Sequence, residues 1–526
     1  MTISAALDED LGPIAVPRTR TWARDRFSPP VVVAAAFFLG LCLLVLTRAS
    51  QFLEPDDLAY RASIIALQHG HLWLTNAQYL ALSHQLAGSS SGAMGGIAQW
   101  VHRADGTWIS EKNPGYPFYA VGFAWLGILR LAPLFYGAFA AVSLYLGGRR
   151  WMGRWGGTAA VALFCSSGAA MVFAWRATMP TFTDASMVAT GCGLLLWTVL
   201  ATDHGDRHRI VAGLAAFFAF DSAMFIRYTD VVAVLCAVAV VALLALFARS
   251  PLPRRAAVVW LGSQALFVAF LLSIDTYLYG HPFSTGYASG EIAFSTGALP
   301  GNLGVMPRNL IVTMPVLVLA ALGLGWVVAR GVRARHTDDP GAARRDLWVG
   351  LALASVWVGV FVLYLLYNWT VHSGGPGDAA WGNVHLIRFY LPAIGPIALL
   401  GAWPLLHVPK AAAMAAVAAL LVLGSISFGS MASAAAVGGP GGPGGLGCGP
   451  RAGIGAGLPG GAGALGGPGF PGGGGGAGYG PGSPSSGQLP PGPPPSFGGS
   501  GTGQIPPGGT GAGAGAAGPQ GCPPGR

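Results

Sequence analysis

The stretch Pro30-Val31-Val32-Val33-Ala34-Ala35-Ala36-Phe37-Phe38-Leu39-Gly40-Leu41-Cys42-Leu43-Leu44-Val45-Leu46-Thr47 contains no charged residue, and Arg18, Arg20, Arg24 and Arg26 precede it. A helix needs about 20 consecutive, mostly apolar residues to cross the hydrocarbon core of a bilayer. The run reads as a signal anchor that stays in the membrane, because its apolar length is that of a span and no small-residue cleavage site follows clearly. Glu54-Pro55-Asp56-Asp57 comes directly after it. A membrane entry followed at once by clustered acids sets the reading of the rest: helices in lipid, chemistry in the loops at one face.

Composition agrees with that reading. The 526 residues are 9% charged and 53% hydrophobic, with a mean hydropathy of +0.55, whereas an ordinary soluble domain carries about 25% charged residues. The net charge of +9 does not indicate a nucleic-acid partner, since arginines concentrated in short inner loops give the same total through the positive-inside rule. Cys42, Cys165, Cys192 and Cys236 lie inside apolar runs, where thiols act as small hydrophobes rather than as a metal framework.

Ten further apolar runs occur near 131–147, 157–174, 184–201, 210–226, 231–248, 256–273, 310–328, 347–367, 389–406 and 411–428, so the chain is expected to cross the membrane eleven times. Arg149, Arg150 and Arg154 follow the second run, Arg249, Arg254 and Arg255 the sixth, and Arg330, Arg333, Arg335, Arg344 and Arg345 the eighth. All of them fall on one side if the N-terminus is cytoplasmic, which puts the long loops 48–130, 274–309 and 368–388 outside the cell membrane. The expected organisation is a cytoplasmic segment over 1–29, a polytopic body over 30–430 and an extracytoplasmic tail over 431–526. No GxxxxGK[ST] phosphate loop is present, which argues against a nucleotide-driven machine. No internal repeat is visible, which disfavours transporters built from inverted halves.

In the first outer loop, Pro55 would open a helix that continues through Leu58, Ala62 and Ile65. Acids in a first helical turn match the macrodipole, so Asp56 and Asp57 have a structural reading as N-terminal charge. Their functional reading is a carboxylate held ionised at a membrane surface, with Arg61 one turn on, serving as general base toward an acceptor hydroxyl. Asp56 is the preferred base and Asp57 the partner of Arg61 at helical spacing. Later in the loop, Glu111 precedes Lys112, and only Lys112 and Lys410 are lysines in a chain that otherwise uses arginine for positive charge. A flexible ammonium suits a phosphate ester whose charge grows as a glycosidic bond breaks. His69, His71, His84 and His102 share the loop. The two-residue spacing of His69 and His71 does not set up a two-histidine metal site.

Asp56-Asp57-Leu58-Ala59-Tyr60 with Gly70 beyond it resembles the acidic first-loop motif of GT-C-type glycosyltransferases that use polyprenyl-phosphate sugars, among them protein O-mannosyltransferases and the aminoarabinose transferase of lipid A. Ser110-Glu111-Lys112-Asn113-Pro114-Gly115-Tyr116-Pro117 is similar to the Glu-Lys-Pro-Pro-Leu signature of the aminoarabinose branch, from which Asn113 and Gly115 depart. Arg176-Ala177-Thr178-Met179-Pro180-Thr181-Phe182-Thr183-Asp184 and Arg388-Phe389-Tyr390-Leu391-Pro392 each resemble an Arg-bearing outer turn of such enzymes, and Tyr279 to Tyr287 resembles a segment of bacterial members.

The resemblance implies an all-α GT-C-like bundle with a large first extracytoplasmic loop. It implies inverting transfer of a sugar from a polyprenyl-phosphate donor to an extracytoplasmic acceptor, with Asp56 or Asp57 as base, Lys112, Arg176 and Arg388 around the phosphate, and Glu111 and Arg61 in support. A divalent cation held by Asp56 or Asp57 and the donor phosphate is left open. The rival reading is a transporter or lipid flippase that binds an anionic substrate without covalent change. It predicts ionisable residues along a path at the bilayer midplane, whereas here most cluster toward the outer ends of the runs.

The end of the chain is of another kind. Residues 438–526 hold 39 glycines and 18 prolines, with Arg451 and Arg526 as their only charges. So few apolar side chains cannot offset ordering entropy, and a disordered tether is expected. Cys448 and Cys522 lie within it and could pair in an oxidising compartment.

Overall fold

A backbone in hydrocarbon must satisfy its own N–H and C=O groups, and helices do so within one segment. The computed structural model describes residues 28–48, 55–87, 97, 99–246, 253–287, 294–336, 339–367 and 388–438, and the described part of each of the eleven apolar runs is mainly helical. These residues all belong to the first of two units of the chain, Met1–Gly453. The tail beyond 438, with Cys448 and Cys522, lies outside them, as does the N-terminal segment up to 27.

The helices of the bundle are α1 (Pro29–Leu46), α5 (Ala132–Ser166), α6 (Gly168–Trp175), α7 (Thr181–Leu200), α8 (Asp206–Ile226), α9 (Val231–Leu246), α10 (Arg254–Tyr279), α12 (Val316–Val332), α13 (Pro340–Leu365), α14 (Ile394–Leu405) and α15 (Lys410–Gly438). The first outer loop contributes α2 (Pro55–Gln68), α3 (Asn76–Ala87) and α4 (Gly115–Trp125), and α11 (Leu299–Thr313) precedes α12. Among the described residues eight helical segments are long and apolar enough to cross a membrane, and α12 is a shorter apolar helix. The chain is a multi-pass membrane protein of all-α class.

Two departures from the expected spans have local causes. The second and third runs are joined in α5, within which Gly153 adopts φ 81° and ψ 178°. That left-handed backbone suits a residue without Cβ. It lets the chain fold back in place of a separate loop, bringing Gly148 against the Gly157 backbone. The eighth run is cut at Met314-Pro315, between α11 and α12, because proline removes a donor and disfavours helical backbone before it.

The core runs through the bundle centre, where α5 packs on α1, α7 and α14, and where Phe164, Phe173, Phe182, Phe217, Phe220 and Trp260 are buried. Leu43, Phe218, Leu266 and Met414 point outward, as lipid-facing side chains do. The first outer loop carries its own small core. Strands β1 (Trp73–Thr75), β2 (Trp100–His102) and β3 (Thr107–Ser110) form an antiparallel sheet in the order β1-β3-β2, with Trp73 opposite Ile109 and His102 opposite Trp108. Leu74, Tyr79, Leu82, Leu86 and Trp100 close on Ala59, Ala62 and Ala66 of α2.

The helix α2 therefore has two buried faces. Ala59, Ala62 and Ala66 meet the loop core, while Tyr60 and Ile64 join the bundle core. Successive residues on a helix diverge by about 100°, so this double burial assigns Asp56 and Asp57 to different surroundings. Asp57 lines up with Tyr60 and Ile64, at i+3 and i+7, and is carried into the bundle. At the other end, the Arg-rich connections meet: Arg330 and Arg345 lie 3.3 and 3.6 Å from Asp346, which also accepts from the indole N–H of Trp151 at 3.1 Å.

Candidate active site

Three stretches far apart in sequence converge on the N-terminal turn of α2. Asp56 Oδ1 lies 3.1 Å from Lys112 Nζ, and Asp56 Oδ2 lies 2.7 Å from Arg388 Nη1. Each carboxylate oxygen thus faces its own cation, and all three side chains keep some exposure, 15% for Asp56, 8% for Lys112 and 12% for Arg388. Lys112 follows β3, where its N–H donates to Ser110 Oγ at 3.1 Å. Its ammonium donates to the Tyr287 hydroxyl at 2.9 Å and sits 5.0 Å from that ring's centre. The loop bearing Tyr287 is seated by Gly286, where a Cβ would come within 2.4 Å of Glu111 Cα. Only glycine fits there.

Burial raises the cost of ionising Asp56, but Arg388 and then Lys112 outweigh it and hold the carboxyl well below its ordinary range, helped by a hydrogen bond from Gln99. Burial likewise opposes the Lys112 ammonium, and Asp56 and Tyr287 overcome it, so its pKa is raised. At neutral pH the site holds one carboxylate between two cations. Gln99, beside it, is the one non-glycine residue among those described with a left-handed φ, 61°, and strained backbone of that kind concentrates at functional sites.

The neighbouring acid is handled differently. Asp57 and Arg176 are both fully buried and form an ion pair through Asp57 Oδ2 and Arg176 Nη2, while Thr178 Oγ1 donates to Asp57 Oδ1 at 2.9 Å. The turn is locked further by the Tyr116 hydroxyl, which donates to the Ala177 carbonyl. Arg176, expected at the donor phosphate, is thus enclosed by Asp57 and packed 5.5 Å over Phe173. Asp57, expected to pair with Arg61, gives its carboxylate to Arg176 and Thr178. Arg61 is half buried. Glu111 lies beside Lys112, its N–H donating to the Gln99 carbonyl at 2.9 Å.

Around Arg388 is a layer the sequence did not single out. Arg227 Nη1 donates to the Arg388 carbonyl at 3.0 Å and lies 3.5 Å from Asp184 Oδ2, and Arg227 Nη2 donates to the Tyr364 hydroxyl at 3.1 Å. One signal pointed there: Arg227 and Arg176 occupy the two short turns at the end opposite the Arg-rich loops, where the positive-inside rule leaves arginine without a topological reason.

The two acids named above for a divalent cation are engaged by side chains of the protein. Both oxygens of Asp56 are taken by cations and both oxygens of Asp57 by donors, and no group of three or more His, Cys, Asp or Glu side chains among the described residues gathers to hold a metal ion.

Fold and site together define an integral-membrane helical bundle with a carboxylate-and-cation site at the end opposite its arginine-rich connections. No protein-family description and no curated protein matches the chain. Among solved structures it is similar to the oligosaccharyltransferase of Archaeoglobus fulgidus in the apo form, with a TM-score of 0.47 and 10% identity over 79% of this chain and 57% of that one. It is also similar to ArnT from Cupriavidus metallidurans bound to undecaprenyl phosphate, with a TM-score of 0.35 and 15% identity over 78% of this chain and 71% of that one. The chain thus spans little more than half the length of the archaeal enzyme.

Proposed function

We propose that the protein is a membrane glycosyltransferase that moves a sugar from a polyprenyl-phosphate donor to an extracytoplasmic hydroxyl acceptor with inversion, with the N-terminus in the cytoplasm. The observation that carries the reading is Asp56 held between Lys112 and Arg388 at the membrane-proximal end of the first loop. Two cations converging on one carboxylate make a site for a second anion of similar size, and a phosphodiester is such an anion.

Lys112 and Arg388 bind the donor phosphate, the guanidinium fork by two parallel bonds and the ammonium as a point charge. Binding draws both cations partly away from Asp56, weakens the field that depresses its pKa and makes it a stronger base. The acceptor oxygen then attacks the anomeric carbon from the face opposite the phosphate. Its proton passes to Asp56, the bond from the anomeric carbon to the phosphate oxygen breaks, and the electron pair leaves with the polyprenyl phosphate. The added negative charge on that leaving group is stabilised by Lys112 and Arg388. Arg176 contributes indirectly in this reading, by fixing Asp57 and with it the start of α2.

The test is to incubate purified full-length protein with radiolabelled polyprenyl-phosphate sugars. Release or transfer of the labelled sugar is the expected result. Binding of the donor with no turnover across the sugars tried, in the presence of envelope acceptors, would overturn the assignment in favour of transport.

A further inference from the structure

Arg227 follows the last residue of α8 in an extended conformation, φ −145° and ψ 112°, with its own N–H donating to the Ala223 carbonyl at 2.8 Å. Its guanidinium is largely enclosed and touches four groups: the Arg388 carbonyl, Asp184, the Tyr364 hydroxyl, and the Phe389 ring 5.5 Å away. Arg388 lies over the same Phe389 ring at 4.7 Å. Two guanidinium groups therefore pack on one aromatic ring. Like charges so placed repel, and the buried acid pair of Asp184, 3.5 Å from Arg227, and Asp230 lies on the Arg227 side to offset that repulsion. Tyr364 is fixed in turn by Thr229, 2.6 Å from its hydroxyl. A buried cluster of ions gains little stability over apolar packing of the same volume, so its use here calls for another reason. That reason lies in what it holds.

We infer that Arg227 is a positioning residue: by gripping the Arg388 backbone carbonyl, with Asp184 and Tyr364 fixing its own guanidinium, it sets where Arg388 presents its charge beside Asp56. The inference rests on the proposed donor-phosphate role of Arg388, but concerns a residue that itself touches neither the phosphate nor the reacting atoms. A planar fork suits the task because it reaches a carbonyl, a carboxylate and a hydroxyl at once, which a lysine ammonium on a flexible stem does less well.

The test uses the full chain in detergent. Arg227→Gln is made in an Asp184→Asn background, so that the carboxylate in direct contact with the guanidinium is not left facing a missing cation, and Tyr364→Phe is made separately to remove one hydroxyl only. The position of Arg388 in each variant is read by electron cryomicroscopy, and binding of a C55 polyprenyl phosphate by calorimetry. In the double variant the Arg388 guanidinium should leave Asp56 and the affinity should fall about tenfold, the loss of one charge-assisted hydrogen bond. Tyr364→Phe should move both readouts in the same direction by less, and it carries the test if the double variant does not fold. Adding Arg388→Lys to the double variant should cost no more than Arg388→Lys alone, because residues acting through one group are not additive. An unmoved Arg388, or losses that add, would overturn the inference. If the parent fails to bind polyprenyl phosphate, the proposed function fails instead, and the displacement of Arg388 still decides the role of Arg227.

Discussion

Asp56 and Asp57 are adjacent in the chain and meet opposite fates. Asp57 is swallowed by the bundle, where Arg176 and Thr178 take its oxygens and the pair has no exposed side-chain surface. Asp56 stops at the rim, 15% exposed, between two cations from other stretches that are themselves only partly covered. A single residue step, about 100° around the helix, thus separates a sealed carboxylate from one at the rim. The difference comes from α2, whose two apolar faces leave the first acid at the edge and carry the second inward. An ion pair sealed from solvent has little freedom to exchange partners, whereas one at a rim can give its cations to an incoming anion.

The comparison breaks most directly at Asp56. Asp56→Asn, nearly isosteric, should lower turnover by roughly 10² to 10⁴, the usual effect of removing a general base. Calorimetry should show donor affinity kept or improved, since the carboxylate no longer competes with the phosphate for Lys112 and Arg388. Turnover within a few-fold of the parent would return the site to the binding or transport reading.

At Asp57 the expected loss is in stability. Removing one partner of a buried ion pair costs about 3–5 kcal/mol, so Asp57→Ala or Arg176→Leu should lower the unfolding midpoint in detergent markedly. Replacing both residues with apolar ones should recover most of the loss, because no charge is then left buried alone. Full stability in either single variant would show that the pair does not brace α2.

Much of this was legible in the sequence. The eleven runs marked helices because lipid makes apolar length a nearly sufficient signal. Asp56, Lys112 and Arg388 were nominated together, from the acidic turn, the scarcity of lysine and the outer turn that opens α14. What the sequence could not give was partner choice. Helical spacing favoured Asp57 with Arg61, but the face shared with Tyr60 and Ile64 carries Asp57 to Arg176, 119 residues away. Such pairing depends on how α2 docks, which no local pattern encodes. Tyr364 was missed, and Tyr287 was noted within its segment without a role, for the same reason: a tyrosine near a span end reads as interfacial until its hydroxyl is seen on a charged side chain.

A finer difference should appear in pH dependence. Asp56 has a folded pKa held below the ordinary carboxylate value of about 3.9. A depressed carboxyl contributes stability that is present above the unfolded value and is lost as pH falls toward the folded one. Stability should therefore decline below about pH 4 in the parent, and Asp56→Asn should flatten that decline. In catalysis the acid limb of kcat/KM, which reports the free enzyme, should lie below that of kcat, which reports the bound state where the phosphate has drawn the cations off. Coincident limbs would show that donor binding leaves Asp56 as it was.

The smallest effect is expected at the far end of the chain. In residues 439–526 Gly and Pro dominate, and Arg451 and Arg526 are the only charges. A segment of that kind has little apolar surface to bury, and ordering a backbone costs about 1–2 kcal/mol per residue. The charged groups of the site are drawn from positions 56 to 388, and the helical body closes with α15 at Gly438. Truncation after Gly438 should therefore leave both the unfolding midpoint and the turnover in detergent nearly unchanged. A large loss of midpoint would mean that the tail packs on the body, and a loss of turnover at constant midpoint would mean that it takes part in acceptor capture; either would extend the working region beyond the rim of α2.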